Sequence, residues 1–307
     1  MKIMSLLELA KKSENILRPF GHTEVLLYYG IVAQKLKRYL KGKELAAKIW
    51  LPSGNLPFFI RRGSKDEPLY IEELCDGATE HLLEVRKEIE NLKDAESKLN
   101  KTEAKVWHYF VPRKLIDFFY ATNGEGAGKD IERIFFDIDR SDVPAEKAQE
   151  VARLLVETIE KDTELKKLIK FKTFVMWTGN SFHVYLILDK KIKNSDYEKH
   201  FAYKKDTPLE SFTGKWADSI KKASKINVQG GHEKIKGIIN IDPSQTPSGK
   251  LCRAPFGLHM KDAKTVDGIA IPLKKEMLYD KNLVKELQKY TPERVINELD
   301  ELAKRLP

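Results

Sequence analysis

Cysteine is nearly missing from this chain: 307 residues hold two, Cys75 and Cys252. Two thiols exclude a disulfide framework and a four-cysteine zinc site. No apolar run approaches the length that crosses a bilayer, so no membrane partner is expected. The N-terminus has lysines but no apolar core ahead of a small-residue cleavage site, which predicts an intracellular protein. Internal repeats and low-complexity tails are absent from the sequence. A phosphate-cradling P-loop is missing too. In the glycine-bearing stretch Ala121–Asp130, Asn123 stands at the first required glycine and Asp130 replaces the hydroxyl residue that would meet Mg²⁺. That stretch reads as a connecting loop.

What the chain does have is positive charge, +9 formally with pI ≈ 9.2, and an ordinary 41% of hydrophobic residues. The length suffices to bury a core in one large domain or two lobes. The charge fits an acidic partner, most often nucleic acid. It fits equally the Lys/Glu-rich surface of a heat-adapted protein.

Periodicity predicts helices over Ser5–Ile16 and from Thr23 to about Leu40, the second closed by Gly42. Strands come next at Ala46–Leu51 and Phe58–Arg62, the latter delivering Arg61 and Arg62, with a turn at Pro52–Asn55 between them. Thr79–Leu99 reads as one long charged helix and Val106–Phe110 as a short strand. Pro144 starts a helix to about Lys161. Phe171–Trp177, a turn at Thr178–Ser181 and Phe182–Leu188 form a hairpin. The basic stretch Lys190–Pro208, with Tyr197, Phe201 and Tyr203 interspersed, reads either as a solvated loop or as a surface that stacks on bases. Gly237–Asp242 is an apolar strand ending in aspartate, Leu251–His259 comes after a turn, and helical segments at Lys281–Lys289 and Glu293–Arg305 close the chain.

The chemistry centres on Ile131–Asp139. Ile134, Phe135, Phe136 and Ile138 make a buried strand whose C-terminal end carries Asp137 and Asp139. Residues i and i+2 share a strand face, so the two carboxylates project together. Like charges side by side raise each other's pKa, and a divalent cation relieves that cost. Oxygen ligands of this kind suit Mg²⁺ or Mn²⁺. The plainer reading is a polar end to the strand before the turn at Arg140–Pro144. Asp242 at a second strand end and His183 after a glycine turn favour a site. Three carboxylates and a histidine can form a two-metal phosphoryl-transfer centre, and the turn Thr178–Ser181 offers backbone N–H groups to a phosphate.

In this order the motifs Asp137-Ile-Asp139, Thr178-Gly-Asn-Ser-Phe-His183, and Asp242 with the later Arg253-Ala-Pro-Phe-Gly-Leu-His259 resemble the archaeo-eukaryotic primase superfamily. The chain is most similar to the ligase D-type polymerase domain and its stand-alone archaeal counterparts. Tyr28-Tyr29, Leu40-Lys-Gly42, Lys48–Gly54 and Phe58-Phe-Ile-Arg61 extend the likeness, which spans roughly residues 13 to 280.

The resemblance implies an α/β (α+β) primase-like catalytic fold. Two sheet-and-helix lobes, residues 1–120 and 121–307, would form one cleft within a single catalytic domain. It implies that Asp137, Asp139 and Asp242 bind two divalent ions, Mg²⁺ or Mn²⁺. Thr178, Gly179, Ser181, His183 and His259 would hold the triphosphate of an incoming NTP or dNTP, with Arg253 and Arg61 neutralising it. The implied activity is template-directed nucleotidyl transfer on DNA, as gap filling or end processing in non-homologous end joining. A separate DNA ligase and a Ku-type protein would be partners.

Three departures matter. The histidine turn is one residue shorter than in ligase D relatives and lacks their basic residue. His259 stands where those relatives carry arginine and primase catalytic subunits often carry histidine. Asn15 and Glu24 occupy positions of lysines that read a 5′-phosphate, so a weaker 5′-phosphate preference is expected. The other readings are the catalytic small subunit of a replicative primase, a metal nuclease, and a catalytically silent nucleic-acid binder.

Overall fold

The computed structural model describes residues 22–307 apart from 52, 55, 62–65 and 113, with backbone alone for residues 22–24. The helix expected over Ser5–Ile16, Asn15, the Glu24 side chain and Arg62 lie outside the described residues. The fold is mixed α+β, and the chain forms two compact units. One holds the residues up to Ala121, joined by Arg253–Ala270 and Tyr290–Lys304. The other holds Thr122–Cys252, Ile271–Lys289 and Arg305–Pro307.

The first unit is built on β1 (Glu44–Leu51), whose residues 45–47 and 49 are fully buried. β1 pairs antiparallel with β2 (Leu56–Ile60), β3 (Leu69–Tyr70) and β4 (Ile116–Ala121). The helix His22–Leu36 places Tyr28 and Tyr29 in the interior. Buried hydroxyls need partners. Tyr28 Oη donates to Phe256 O at 2.8 Å, and Tyr29 Oη accepts from Leu258 N at 3.2 Å. The pair thereby pins the returning segment Arg253–Ala270.

Several local expectations change. The helix expected to reach Leu40 ends at Leu36, and residues 37–42 turn until Gly42, at φ +66°, reverses the chain. The long helix expected over Thr79–Leu99 is broken into Glu80–Glu88, Leu92–Ala95 and a 3₁₀ turn at Glu96–Lys98. Asn91 stops it, because its side chain accepts from Asp94 N at 3.0 Å and starts a new turn. The strand expected at Val106–Phe110 is instead the end of the helix Lys101–Tyr109. Asn100 and Glu103 form a reciprocal capping box at its start, at 3.0 and 3.1 Å, and that outweighs the β-prone aromatics.

The second unit is a sheet of β5 (Ile131–Asp139), β6 (Phe171–Trp177), β7 (Phe182–Ile192), β8 (Val228–Gly230), β9 (Ile239–Asp242) and β10 (Ile271–Leu273). Their order across the sheet is β10-β6-β7-β5-β9-β8. The expected hairpin is present and lies beside the acidic strand, β7 pairing with both β6 and β5. Helices Ala145–Lys161 and Phe212–Ser224 pack on each other, and Trp216 meets the Phe136 ring at 5.7 Å. Even-numbered residues of β5 thus face the helical layer, and Asp137 and Asp139 face the other way.

The helix Phe212–Ser224 has little sequence signature beyond Ser211, which caps it by accepting from Gly214 N at 3.1 Å. The basic stretch Lys190–Pro208 is not a solvated loop throughout. β7 runs to Ile192, a helix covers Asn194–His200, and Tyr197 and Phe201 are buried, with only Tyr203 half-exposed. Within Leu251–His259, Leu251–Arg253 and Leu258–His259 are separate short strands, and between them Phe256 takes φ +63°. Among the described residues no helix is long and apolar enough to cross a membrane.

Candidate active site

Register does in this sheet what sequence spacing cannot. Asp137 on β5 lies directly opposite His183 on β7 and Asp242 on β9, and Asp139 lies opposite Asn240. Cross-strand partners share a face. His183, Asp137 and Asp242 therefore form one row, with Asp139 and Asn240 in the next. Phe182, Ile138 and Ile241 fall on the opposite, buried face. Four of the residues expected from the sequence are thus gathered on one surface.

The electrostatics are those of crowded carboxylates. Burial pushes the Asp242 carboxyl up, and the nearby charge of Asp137 pushes it further. Ser244 opposes this, donating its N–H to Oδ1 at 2.8 Å and its hydroxyl to Oδ2 at 2.9 Å. Asp139 accepts from Ser141 N at 3.2 Å and pairs with Lys234 Nζ at 2.9 Å. The hydrogen bond from Lys234 to Asp139 holds that ammonium above its ordinary range, and the charges of Asp139, Asp137 and Asp242 add to the effect. All three carboxylates thus favour a cation at this spot.

His183 is almost enclosed, its side chain 8% exposed. Its Nε2 stands 3.4 Å from Asp137 Oδ1, and its Nδ1 meets Tyr185 Oη at 3.1 Å. Tyr185 Oη is in turn 2.8 Å from Cys252 Sγ. The imidazole edge also packs on Phe135, ring centres 4.6 Å apart. The ring's orientation is therefore set from behind, by a residue two positions along the same strand face.

The turn after β6 is held by its own side chains. Thr178 Oγ1 accepts from Ser181 N at 3.0 Å, and Ser181 Oγ donates to Ile138 O. Both hydroxyls serve the backbone and not an open surface. Gly179 has φ +97°, a region that disfavours side chains. Arg140, not singled out from the sequence, clamps the turn to the end of β5 by donating Nε to Asn180 O at 2.9 Å.

Arg253, His259 and Arg61 belong to the first unit. Arg253 is only 11% exposed; its Nη2 pairs with the buried Asp117 at 3.4 Å, and its guanidinium lies 5.0 Å from the Phe119 ring. Burial pushes the Asp117 carboxyl up against the pull of Arg253 and Lys48. Arg253 is thus engaged in structure. His259 Nδ1 meets Asp267 Oδ1 at 2.7 Å across a short hairpin. Burial opposes ionisation of Asp267, but His259 and Lys261 together hold its carboxyl below the usual range. Arg61 comes just after the exposed strand β2 and is half-exposed.

Among the described residues no three His, Cys, Asp or Glu side chains are gathered as a ready-made metal cage. Asp139 is turned toward Lys234 and Asp242 toward Ser244. The donor set nevertheless suits a hard divalent ion: three carboxylates on one face, with the buried Asn240 Oδ1 accepting no hydrogen bond from any described group. The Lys234 ammonium shows where positive charge is favoured.

The chain is similar in fold to a polymerase domain. The solved structure is the polymerase domain of Mycobacterium tuberculosis ligase D in complex with DNA, with a TM-score of 0.57 over 94% of each chain. Sequence identity is 16%, so the likeness is one of fold. No family model matches the chain, and no curated protein does.

Lys234, Asn240, Tyr185 and Arg140 were not singled out from the sequence. Three of these had a local signal: Asn240 and Tyr185 are i±2 neighbours of Asp242 and His183, and Arg140 comes directly after Asp139. Lys234, in a loop between β8 and β9, had none.

Proposed function

We propose that this protein is a template-directed nucleotidyltransferase of primase-polymerase type that uses Asp137, Asp139 and Asp242 to hold two divalent ions. The observation that carries this reading is the row His183–Asp137–Asp242 across three adjacent strands, in a fold similar to a polymerase domain complexed with DNA.

The reaction joins the 3′-oxygen of a primer to the α-phosphorus of an incoming NTP or dNTP. The bond from that phosphorus to the oxygen bridging to the β-phosphate breaks, pyrophosphate leaves, and the hydroxyl proton passes to solvent. Divalent ions supply a lowered pKa for the attacking hydroxyl and charge neutralisation for the transferring phosphoryl group. Asp137, Asp139 and Asp242 would hold those ions, and the Lys234 ammonium, 2.9 Å from Asp139, lies where such charge would sit. His183, oriented through Tyr185, donates Nε2–H to a phosphate oxygen. The turn Thr178–Ser181, stiffened by its two hydroxyls and Arg140, uses the N–H groups of Thr178 and Ser181 internally and would offer those of Gly179 and Asn180 to the same phosphates. His259, Arg61 and Arg253 are assigned to the triphosphate on resemblance alone, and Arg253 is the weakest of them because Asp117 already engages it.

The finer reading is gap filling or end processing at DNA breaks, with a separate ligase and a Ku-type protein as partners. The test is a labelled primer–template with Mg²⁺ or Mn²⁺, with and without NTPs or dNTPs, on gapped, overhanging and blunt ends. Templated extension is expected, strongest on gaps. Shortening of the primer would make the protein a nuclease, and a mobility shift without either would make it a binder.

A further inference from the structure

A cavity of about 360 Å³ opens on the far side of Asp242 from His183; Asp242 lines it, whereas Asp137, Asp139, His183 and the turn Thr178–Ser181 do not. Its floor is the chain between β8 and β9, where Gly231 N donates to Ile241 O at 3.0 Å and extends the row beyond Asp242. Its wall is Tyr203. A Cβ on Gly230 would lie 2.4 Å from the Tyr203 ring and one on Gly231 2.8 Å from it, so the ring lies directly against a bare stretch of backbone. Gly231 has φ +102°, a second reason for glycine there. Gln229, His232 and Ser244 add hydrogen-bonding groups.

Resting on the polymerase reading of the neighbouring carboxylates, we propose that this cavity seats the terminal nucleoside of the primer strand, sugar against Tyr203 and 3′-hydroxyl toward Asp242. The first argument is directional. Phosphoryl transfer places the attacking and leaving oxygens in line on opposite sides of phosphorus. The strand order β7-β5-β9-β8 puts His183 on one side of the carboxylates and the cavity on the other, about 14 Å apart at three strand spacings. With the triphosphate on the His183 side, the attacking hydroxyl comes from the cavity side.

The second argument is charge. Glu198, Glu233 and Asp242 line the cavity against one lysine, Lys205, which Glu233 already pairs at 2.9 Å. Such a lining repels a polyphosphate and accepts an uncharged sugar. The third is size and surface. The volume lies at the small end of ligand pockets, which run roughly 300–1,000 Å³, and an aromatic face with a few polar groups suits one nucleoside.

The experiment uses the full chain and two readouts: steady-state extension with primer–template and nucleotide varied separately, and photocrosslinking of a primer ending in 4-thiothymidine. Tyr203→Ala is expected to raise KM for primer–template about tenfold, as loss of one aromatic contact does. KM for the nucleotide should stay within about twofold, inside the scatter of such measurements. Tyr203→Phe keeps the ring and should restore the wild-type value. The crosslink should map to Tyr203 or the 229–232 segment. If the wild type extends but Tyr203→Ala raises nucleotide KM instead, or changes neither, the cavity assignment is overturned while the polymerase reading stands. If the wild type does not extend, the polymerase reading fails. The crosslink then decides the cavity by itself: its presence at that segment upholds a primer-end site, and its absence removes it.

Discussion

At the scale of single residues, strand register sets like charges side by side, a cost that a bound cation would relieve. Asp137 and Asp242 face each other across one strand pairing, and Asp242 is already pushed toward protonation by burial and by its neighbour. Asp137→Asn or Asp242→Asn should cut extension by at least about 10³-fold, the scale of losing transition-state charge stabilisation. DNA affinity should hold nearly constant, because phosphate contacts elsewhere are untouched; gel-shift titration beside the extension assay checks both. His183 depends on a subtler contact. Tyr185→Phe removes the hydroxyl 3.1 Å from Nδ1 and leaves the ring free to turn or change tautomer. A fall of about tenfold in kcat/KM is expected, the lower end of what outer partners of site residues contribute. Unchanged kinetics would show that packing on Phe135 alone orients the ring.

At the scale of elements, caps and close contacts decide which segments form. The helix Lys101–Tyr109 exists because Asn100 and Glu103 satisfy its first turn, so Asn100→Ala should cost about 1 kcal/mol in urea unfolding. Glu103 also gives this element a pH dependence. Burial works against its charge, but bonds from Thr79, Asn100 and His81 hold its carboxyl below the ordinary value. A depressed folded pKa contributes stability above the unfolded value, about 4.3, and that contribution is lost as pH falls through the folded one. Glu103→Gln should flatten the decline of the urea midpoint over that acid range; a decline as steep as wild type would place the acid lability elsewhere. The helix Phe212–Ser224 has a harder constraint. A Cβ on Gly214 would sit 1.9 Å from Pro208 O, which is backbone and has little room to yield. Gly214→Ala should destabilise by at least about 1–3 kcal/mol, the usual cost of forced overpacking, and it should loosen the layer behind Asp137, read as a lower thermal midpoint.

At the scale of the molecule, the excess of 55 lysines and arginines over 46 acids is the property most directly tied to a polyanionic partner. Cations that meet phosphates release counterions, so affinity for a primer–template should fall more than about tenfold between roughly 50 and 200 mM salt. A flat plot of log affinity against log salt would mean that the charge is spread over the surface without a nucleic-acid face. Each compact unit is stabilised by its own sheet: β1 at the centre of one, β5 and β7 in the middle of the other. The likeness to the ligase D polymerase domain extends over 94% of the chain, so both units take part in it.

By itself the sequence determined the features that arise between neighbours along the chain. Asp137 and Asp139 share a face because strand residues alternate, Ile134, Phe135, Phe136 and Ile138 are buried because they are apolar and β-prone, and the hairpin around Thr178–Ser181 is marked by its glycine turn. The order of the acidic, histidine and second acidic motifs also needed no structure. Tertiary structure decided the features that depend on register and on distant partners. It placed Asp242 opposite Asp137 and brought Lys234 to Asp139. It laid Tyr203 on Gly230, and it drew Arg253 and His259 into the unit of Asp117 instead of that of the carboxylates. The helix over Val106–Tyr109 and the break in Thr79–Leu99 are local instead: the caps at Asn100 and Asn91 lie in the sequence itself and outweigh strand and helix propensity there. The physical reason is one of range: alternation and burial act between adjacent residues, whereas pairing register, ion pairs and ring contacts are energies between segments that only the folded chain brings within reach.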